Sequence, residues 1–252
     1  MRVTAIKTRA FLPPKDDLLS LIKESFLTTQ LKEESIIIIT SKIVAIWEGR
    51  CIKIEKGISK DDLIKKEADF YIDREEVPSG YVILTLKNNI LIPSAGIDES
   101  NANGYYILWP KNPTEAAKKI YQFIKKTYKL KKIGVIISDS HCTPLKNGIM
   151  GLCIGYYGFY PLRDYRGRKD IFGRELKMTQ TNIADSVAVA AVLCMGEGSE
   201  QTPIAIAEDI DGVKFGQFNA ASDPLIIQKD KDIFAPLINS TKWKKGGKPS
   251  NH

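Results

Sequence analysis

The sequence predicts an α+β fold, a single domain in which mixed, largely antiparallel sheets pack against helices. Three observations lead there. Strand-length apolar runs follow one another without a helix between them, as in "YVILTLKNNILIPSAG" (81–96), which excludes strict alternation of strand and helix. Two longer segments, "NPTEAAKKIYQFIKKTY" and "TNIADSVAVAAVLCM", have the length and apolar content of packed helices. The chain of 252 residues has no internal repeat or long linker. A chain of that size buries roughly 70–75% of its unfolded surface, so no disulfide or metal is needed to hold it together.

The elements follow in order. A helix is expected from about Asp17 through "FLTTQLKEE". "SIIIITSKIVAIWEG" gives a buried strand, Ile36 to Thr40, then a turn and either a second short strand or the start of a helix. "SKDDLIKKEADFYIDREEV" opens with Ser59 as a cap and acids in its first turn, and reads as one helix. The 81–96 stretch reads as a hairpin turning at Asn88-Asn89. The helix after Asn112 takes Thr114 as its cap and Ala117, Ile120, Phe123 and Ile124 as its apolar face. Ile133 to Ile137 is a buried strand, and "GLCIGYYGFYPL" has strand character. "DYRGRKDIFGREL" is charged and broken by glycine, hence a loop. The helix "TNIADSVAVAAVLCM" ends at Gly196-Glu197-Gly198, and "PIAIAEDI" is a last strand. The domain is set at 1–239, with 240–252 a basic, disordered tail.

Composition is that of an ordinary globular protein, with 43% hydrophobic and 27% charged residues. The four cysteines form no CxxC pair, and the N-terminal residues lack the pattern of a secretory signal, so a reducing, cytoplasmic setting is expected. No segment reaches the about 20 apolar residues of a membrane helix. The net charge of +7 is partly local, in Lys125–Lys132 and in the tail. Solvated faces explain most of it, and a surface attracting nucleotide, phosphate or polycarboxylate is the sharper alternative. Nucleic acid is not expected, since no basic stretch is interleaved with aromatics and no zinc-finger motif is present.

The standard phosphate-binding loops are missing: there is no G-x-x-x-x-G-K-[ST], no G-x-G-x-x-G and no G-x-S-x-G. What remains is acids on short glycine- or hydroxyl-rich segments at element ends: Asp98 in "SAGIDESN", Asp139 and Ser140 in "ISDSHC", Glu197 and Glu200 in "CMGEGSEQ". Such oxygen ligands suit Mg²⁺ or Mn²⁺, although an isolated loop acid is more often a turn or cap residue. Arg166, Arg168 and Arg174 lie in the charged loop, either salt-bridged at the surface or forming a clamp for carboxylate or phosphate. His141 and Cys142 point apart if the segment is extended, which favours local shaping or substrate contact over a nucleophilic pair.

In this order, "TSKIVAIWEGR", "SAGIDESN", "IISDSHCTPLKNG" and "LRDYRGRKDIFGRELKMTQTNIADSVAVAAVLCMGEG" resemble the coenzyme F420 γ-glutamyl ligase family. The likeness extends from about Met1 to the strand near Ile210. It implies a reaction: a nucleoside triphosphate, GTP or ATP, phosphorylates an acceptor carboxylate, and the amine of L-glutamate attacks the acyl phosphate to form an amide. It implies two Mg²⁺ or Mn²⁺ ions, with K⁺ entertained as a further ion, and a homodimer acting on small molecules. By the same resemblance Asp98, Asp139, Ser140 and Glu197 match metal ligands, with Asp98, Asp139 and Glu197 the catalytic acids. Leu12, Pro13, Pro14, Ser41, Lys42, Asn101 and the stretch Met195 to Thr202, with Gly196, Gly198, Ser199 and Glu200, match the nucleotide contacts. His141, Cys142, Arg166, Arg168 and Arg174 are assigned to the acceptor.

This chain departs from the family pattern at several points. Ile46 stands where the family carries a lysine, His141-Cys142-Thr143 replaces the arginine-bearing turn, and Ser186 replaces an acid. These changes leave the acceptor open between F420-0 or a related compound and a folate. A relative that has lost catalysis and only binds nucleotide is the third reading.

Overall fold

The computed structural model describes residues 1–27, 29–217 and 223–247. The chain runs β1 (Arg2–Ile6), α1 (Leu18–Ser25), β2 (Ser35–Thr40), α2 (Ser41–Trp47), β3 (Cys51–Lys53), α3 (Lys60–Glu67), β4 (Phe70–Ile72), β5 (Leu84–Lys87) and β6 (Ile90–Pro93). It continues with β7 (Tyr105–Ile107), α4 (Pro113–Tyr128), β8 (Ile133–His141), β9 (Met150–Tyr157), β10 (Leu162–Asp164), β11 (Gln180–Asn182), α5 (Ile183–Met195), β12 (Ile204–Glu208), α6 (Ala235–Ser240) and β13 (Lys244–Lys245). The fold is α+β, as expected.

The main sheet has the order β1-β12-β2-β8-β9. Only β2 and β8 are parallel; every other pairing in it is antiparallel. The run Ile36–Ile39 is buried on both faces because helices cover both. Ile37 and Ile39 pack with α1 and α4, whereas Ile36 and Ile38 pack with α5. Each fully buried isoleucine contributes about 2–3 kcal/mol of burial free energy. β12, which the sequence order suggests as a last strand, lies inside the sheet between β1 and β2. α4 and α5 come close to β9 because two of its residues have no side chain. A Cβ on Gly155 would lie 2.5 Å from the Pro113 carbonyl carbon, and one on Gly151 would lie 2.3 Å from the Ala188 carbonyl oxygen.

A smaller sheet, β13-β4-β5-β6, and the β3/β7 pair flank α3 and a separate core that includes Ile64, Ile83, Ile97 and Tyr106. The β5–β6 hairpin turns on Asn88 and Asn89, both at positive φ (52° and 61°), the conformation that asparagine tolerates in a two-residue hairpin turn.

Several local expectations are corrected. The helix opening at Ser59 ends at Glu67 and the chain turns into β4, since Phe70–Ile72 pairs with β5. The cap of α4 is Asn112, whose side chain accepts from the Glu115 N–H, with Pro113 in the first helical turn; it is not Thr114. The N-terminal residues, assigned no element from sequence, form edge strand β1. Part of the expected tail is docked: Lys244–Lys245 pairs with β4 and Lys244 bonds Asp73, while residues 248–252 lie outside those described.

Candidate functional site

The cleft forms where the main sheet presents one set of strand ends. Parallel β2 and β8 leave their carboxyl ends side by side, where open sheets commonly bind ligands. The end of β2 and the start of α2 deliver Thr40, Ser41 and Lys42, and β8 delivers Ser138, Asp139 and Ser140. β1 exits into a strap, Thr8–Pro13, and α5 exits into the loop Gly196–Gln201 before β12. The β8/β9 register shifts between Ile137 and Ser138, an irregularity after which Ser138–His141 pair with Met150–Cys153. The resulting cleft holds about 480 Å³, within the usual range for small-molecule sites.

Most of the residues singled out from sequence line this one cleft. Asp98, Asp139, Ser140 and Glu197 do, as do Leu12, Pro13, Ser41, Lys42, Asn101, Met195, Gly196, Gly198, Ser199 and Glu200. Pro14, joined to Pro13 by a cis bond, does not. Asp139 has its Oδ1 bonded by the Ser140 N–H at 2.8 Å and its Oδ2 by the indole N–H of Trp109. Burial pushes Asp139 up to about 6, a rise reinforced by the Asp98 charge and opposed by these donors. Burial also raises Glu197, which stands past the carboxyl end of α5 with its Oε2 3.5 Å from the Ser140 hydroxyl. Burial acts on Asp98 in the same sense, but the Lys42 ammonium 2.7 Å away holds it below the ordinary carboxylate value.

The walls are braced. Asn101 donates to the Gly198 carbonyl at 2.8 Å, tying the Asp98 loop to the Glu197 loop. Glu200 folds back to accept from the Gly198 N–H at 2.8 Å. Arg9 grips Asp16 with two guanidinium nitrogens, at 2.6 and 3.0 Å, which fixes the strap. Ile46, where the family pattern has a lysine, is 1% exposed and forms an apolar part of the wall.

Among the described residues no group of three or more His, Cys, Asp or Glu side chains is close enough to hold a metal as it stands. The donor set nevertheless fits a hard divalent cation: three carboxylates and a hydroxyl, all oxygen, on one cleft. Burial, with the charge of Asp98, raises Asp139 and Glu197, and Asp98 itself is paired with an ammonium. The Ser138 hydroxyl on the same wall is buried without a hydrogen-bond partner.

The residues assigned to the acceptor are not on this wall. His141 is half-buried at the end of β8, paired with Met150, and its pKa is lowered by burial against the opposing charge of Asp185. Cys142 is exposed. Arg166 bonds Asp164 at 2.6 Å, Arg168 stacks on Tyr165, and Arg174 bonds Asp170 through its backbone N–H at 2.9 Å. Together these contacts fold 163–176 into an exposed hairpin with Ile171 and Phe172 at its tip. Sequence reading missed Thr8–Ala10 in the strap and Trp109, which bonds Asp139; neither carries a motif, and only the fold brings them beside the site residues.

Comparison with known proteins accords with this geometry. The family model described as "F420-0:Gamma-glutamyl ligase" matches residues 6–209. A coenzyme F420:L-glutamate ligase of Methanocaldococcus jannaschii is 35% identical over 217 residues, covering 81% of this chain and 86% of that protein. Proteins of the same name are each 31% identical: that of Methanopyrus kandleri covers 82% of this chain and 86% of its own length, that of Methanococcus maripaludis 84% and 90%. The chain belongs to the F420-0:gamma-glutamyl ligase family, and it is an enzyme of the amide-forming ligase class.

Proposed function

We propose that this protein is a nucleoside triphosphate-dependent γ-glutamyl ligase that activates an acceptor carboxylate as an acyl phosphate and joins it to the amine of L-glutamate. The observation that carries this reading is the gathering of Asp98, Asp139, Glu197 and Ser140 around one cleft with Lys42, in a chain of this family. Asp98, Asp139, Glu197 and Ser140 would hold Mg²⁺ or Mn²⁺, which when bound supplies charge neutralisation for phosphoryl transfer. Two ions and K⁺ belong to the same proposal.

Lys42 is the cation placed to meet a triphosphate. A phosphate oxygen draws its ammonium from Asp98, which frees that carboxylate. The strap Leu12–Pro13, Asn101 and the loop Met195–Glu200 would frame the nucleotide, GTP or ATP. Ile46 presents an apolar side chain in place of a cation, so nucleotide binding depends more heavily on Lys42. The acids argue against an inactive relative, because packed carboxylates with raised pKa values cost stability unless something uses them.

The acceptor is F420-0 or a similar compound, with a folate as the alternative favoured by the altered strand end at His141-Cys142. A homodimer acting in the cytoplasm completes the reading, and the exposed Ile171 and Phe172 are consistent with a partner surface. No helix among the described residues is long and apolar enough to cross a membrane.

One assay tests this. Purified protein is incubated with Mg²⁺ or Mn²⁺, labelled L-glutamate and GTP or ATP, with F420-0 in one tube and a reduced folate in another, and products are read by mass. A glutamate increment on F420-0 supports the first reading, and an increment on folate alone selects the second. No increment in either tube, with nucleotide bound, removes both.

A further inference from the structure

A carboxylate that holds a metal works best when a neighbouring donor fixes its plane. Each oxygen of Asp139 has one N–H donor, beside a side-chain hydrogen bond from Ser41. Ser140 supplies the first from the same strand. Trp109, which follows β7 of the β3/β7 pair, supplies the second. Trp109 is 1% exposed.

Its indole is held on several sides. A Cβ on Gly96 would lie 1.9 Å from Nε1, so the "SAGID" glycine leaves just the space the indole edge fills. The Lys87 ammonium lies 5.7 Å from the ring centroid, and Arg50 donates from Nε to the Trp109 carbonyl at 3.0 Å. Lys87 and Arg50 converge on Glu67, at 2.8 and 2.6 Å. The side chains of this partly buried Glu67–Lys87–Arg50 cluster do not line the cleft, and their ion pairs and hydrogen bonds bear on Trp109 or on one another.

We propose that Trp109 is a positioning residue: it fixes one oxygen of Asp139, and the Glu67–Lys87–Arg50 cluster holds it in place, so the smaller sheet sets the aim of an acid on the larger one. The inference rests on the reading of Asp139 as a metal-holding residue. A tryptophan that served only as packing would lose stability when shortened and leave metal affinity alone. A positioning tryptophan changes metal affinity, and does so only through Asp139.

The test is Mn²⁺ affinity, measured from the signal of free Mn²⁺ by electron paramagnetic resonance, on the full chain. The variants are Asp139→Asn, Trp109→Phe, both together, and Lys87→Met, each checked for cooperative unfolding. Trp109→Phe is expected to weaken Mn²⁺ binding roughly tenfold to a hundredfold. The double variant is expected to bind no more weakly than Asp139→Asn alone, because the two act on one carboxylate. Lys87→Met, which leaves Glu67 paired with Arg50, is expected to weaken binding by a smaller factor and carries the test if Trp109→Phe does not fold. Unchanged affinity in Trp109→Phe or Lys87→Met, or additive losses in the double variant, would overturn the inference while a loss in Asp139→Asn left the metal reading standing. Unchanged affinity in Asp139→Asn would remove the metal reading and this inference with it.

Discussion

The cleft and the 163–176 hairpin are both rich in opposite charges, yet they are wired differently. In the cleft, partners come from far apart in the chain: Lys42 meets Asp98, Trp109 meets Asp139, Asn101 meets Gly198. In the hairpin they are neighbours: Arg166 meets Asp164, and the Asp170 carboxylate accepts from the backbone N–H groups of Phe172 and Arg174. Long-range pairing holds charged groups in a geometry that the local chain would not adopt alone, which is what a reactive site requires. Local pairing neutralises charge and shapes a loop. The guanidinium groups of Arg166 and Arg168 are thus already engaged by their own segment, while its Ile171 and Phe172 are left to the outside.

The largest effect that would break this comparison lies at Glu197. Glu197→Gln is expected to lower kcat by about a hundredfold or more, since it removes a charge from the acid set, with the melting transition remaining cooperative. Turnover close to wild type would show that the loop after α5 is framework only. Next comes Lys42→Met, expected to raise the KM for nucleotide by about tenfold, the scale of one charge-assisted hydrogen bond. If its KM for acceptor changed instead, the assignment of Lys42 to the triphosphate would fail.

A smaller effect concerns the strap. Arg9 pulls Asp16 down to about 2. A carboxyl group with its pKa depressed in the folded state contributes stability above its unfolded value, near pH 4, and that contribution is lost as pH falls towards 2. Allowing for solvent around the half-exposed Arg9, the contribution is about 1 kcal/mol. Denaturant midpoints measured from pH 6 down to pH 2 should therefore fall more steeply for wild type than for Asp16→Asn. Parallel profiles would mean that the pair does not hold the strap.

Smallest of all is Arg166→Ala. Stability should move by less than about 0.5 kcal/mol, and nucleotide KM should stay put, because the guanidinium is engaged two residues away on the surface. A change in acceptor KM alone would recover the hairpin for the acceptor. A change in nucleotide KM would erase the distinction between the two regions.

The same contrast marks how far the sequence could be read. Elements defined by local pattern came through: the isoleucine run of β2, the Asn88-Asn89 turn, the Ser59 cap and the two long helices. The acids Asp98, Asp139 and Glu197 could be picked out because each sits on a short loop at an element end, and the family likeness linked them. Other features were not legible because their meaning is tertiary. β12 reads as a terminal strand but lies inside the sheet, since only pairing decides order. α3 stops at Glu67 because Phe70–Ile72 finds a strand partner, which outweighs helical propensity. Trp109 carries no signature, and what singles it out is a bond to a residue thirty positions away. The charged loop looks like a clamp in one dimension, and in three Arg166 pairs with Asp164 and Arg168 stacks on Tyr165.

The most direct test of the account is turnover by Asp139→Asn, with saturating Mg²⁺ or Mn²⁺, GTP or ATP, L-glutamate and whichever acceptor wild type accepts, read as glutamate mass added per enzyme. The account predicts that addition falls to background while the variant still unfolds cooperatively. Undiminished addition would contradict it, for the cleft at the end of β8 would then not be where the amide is made.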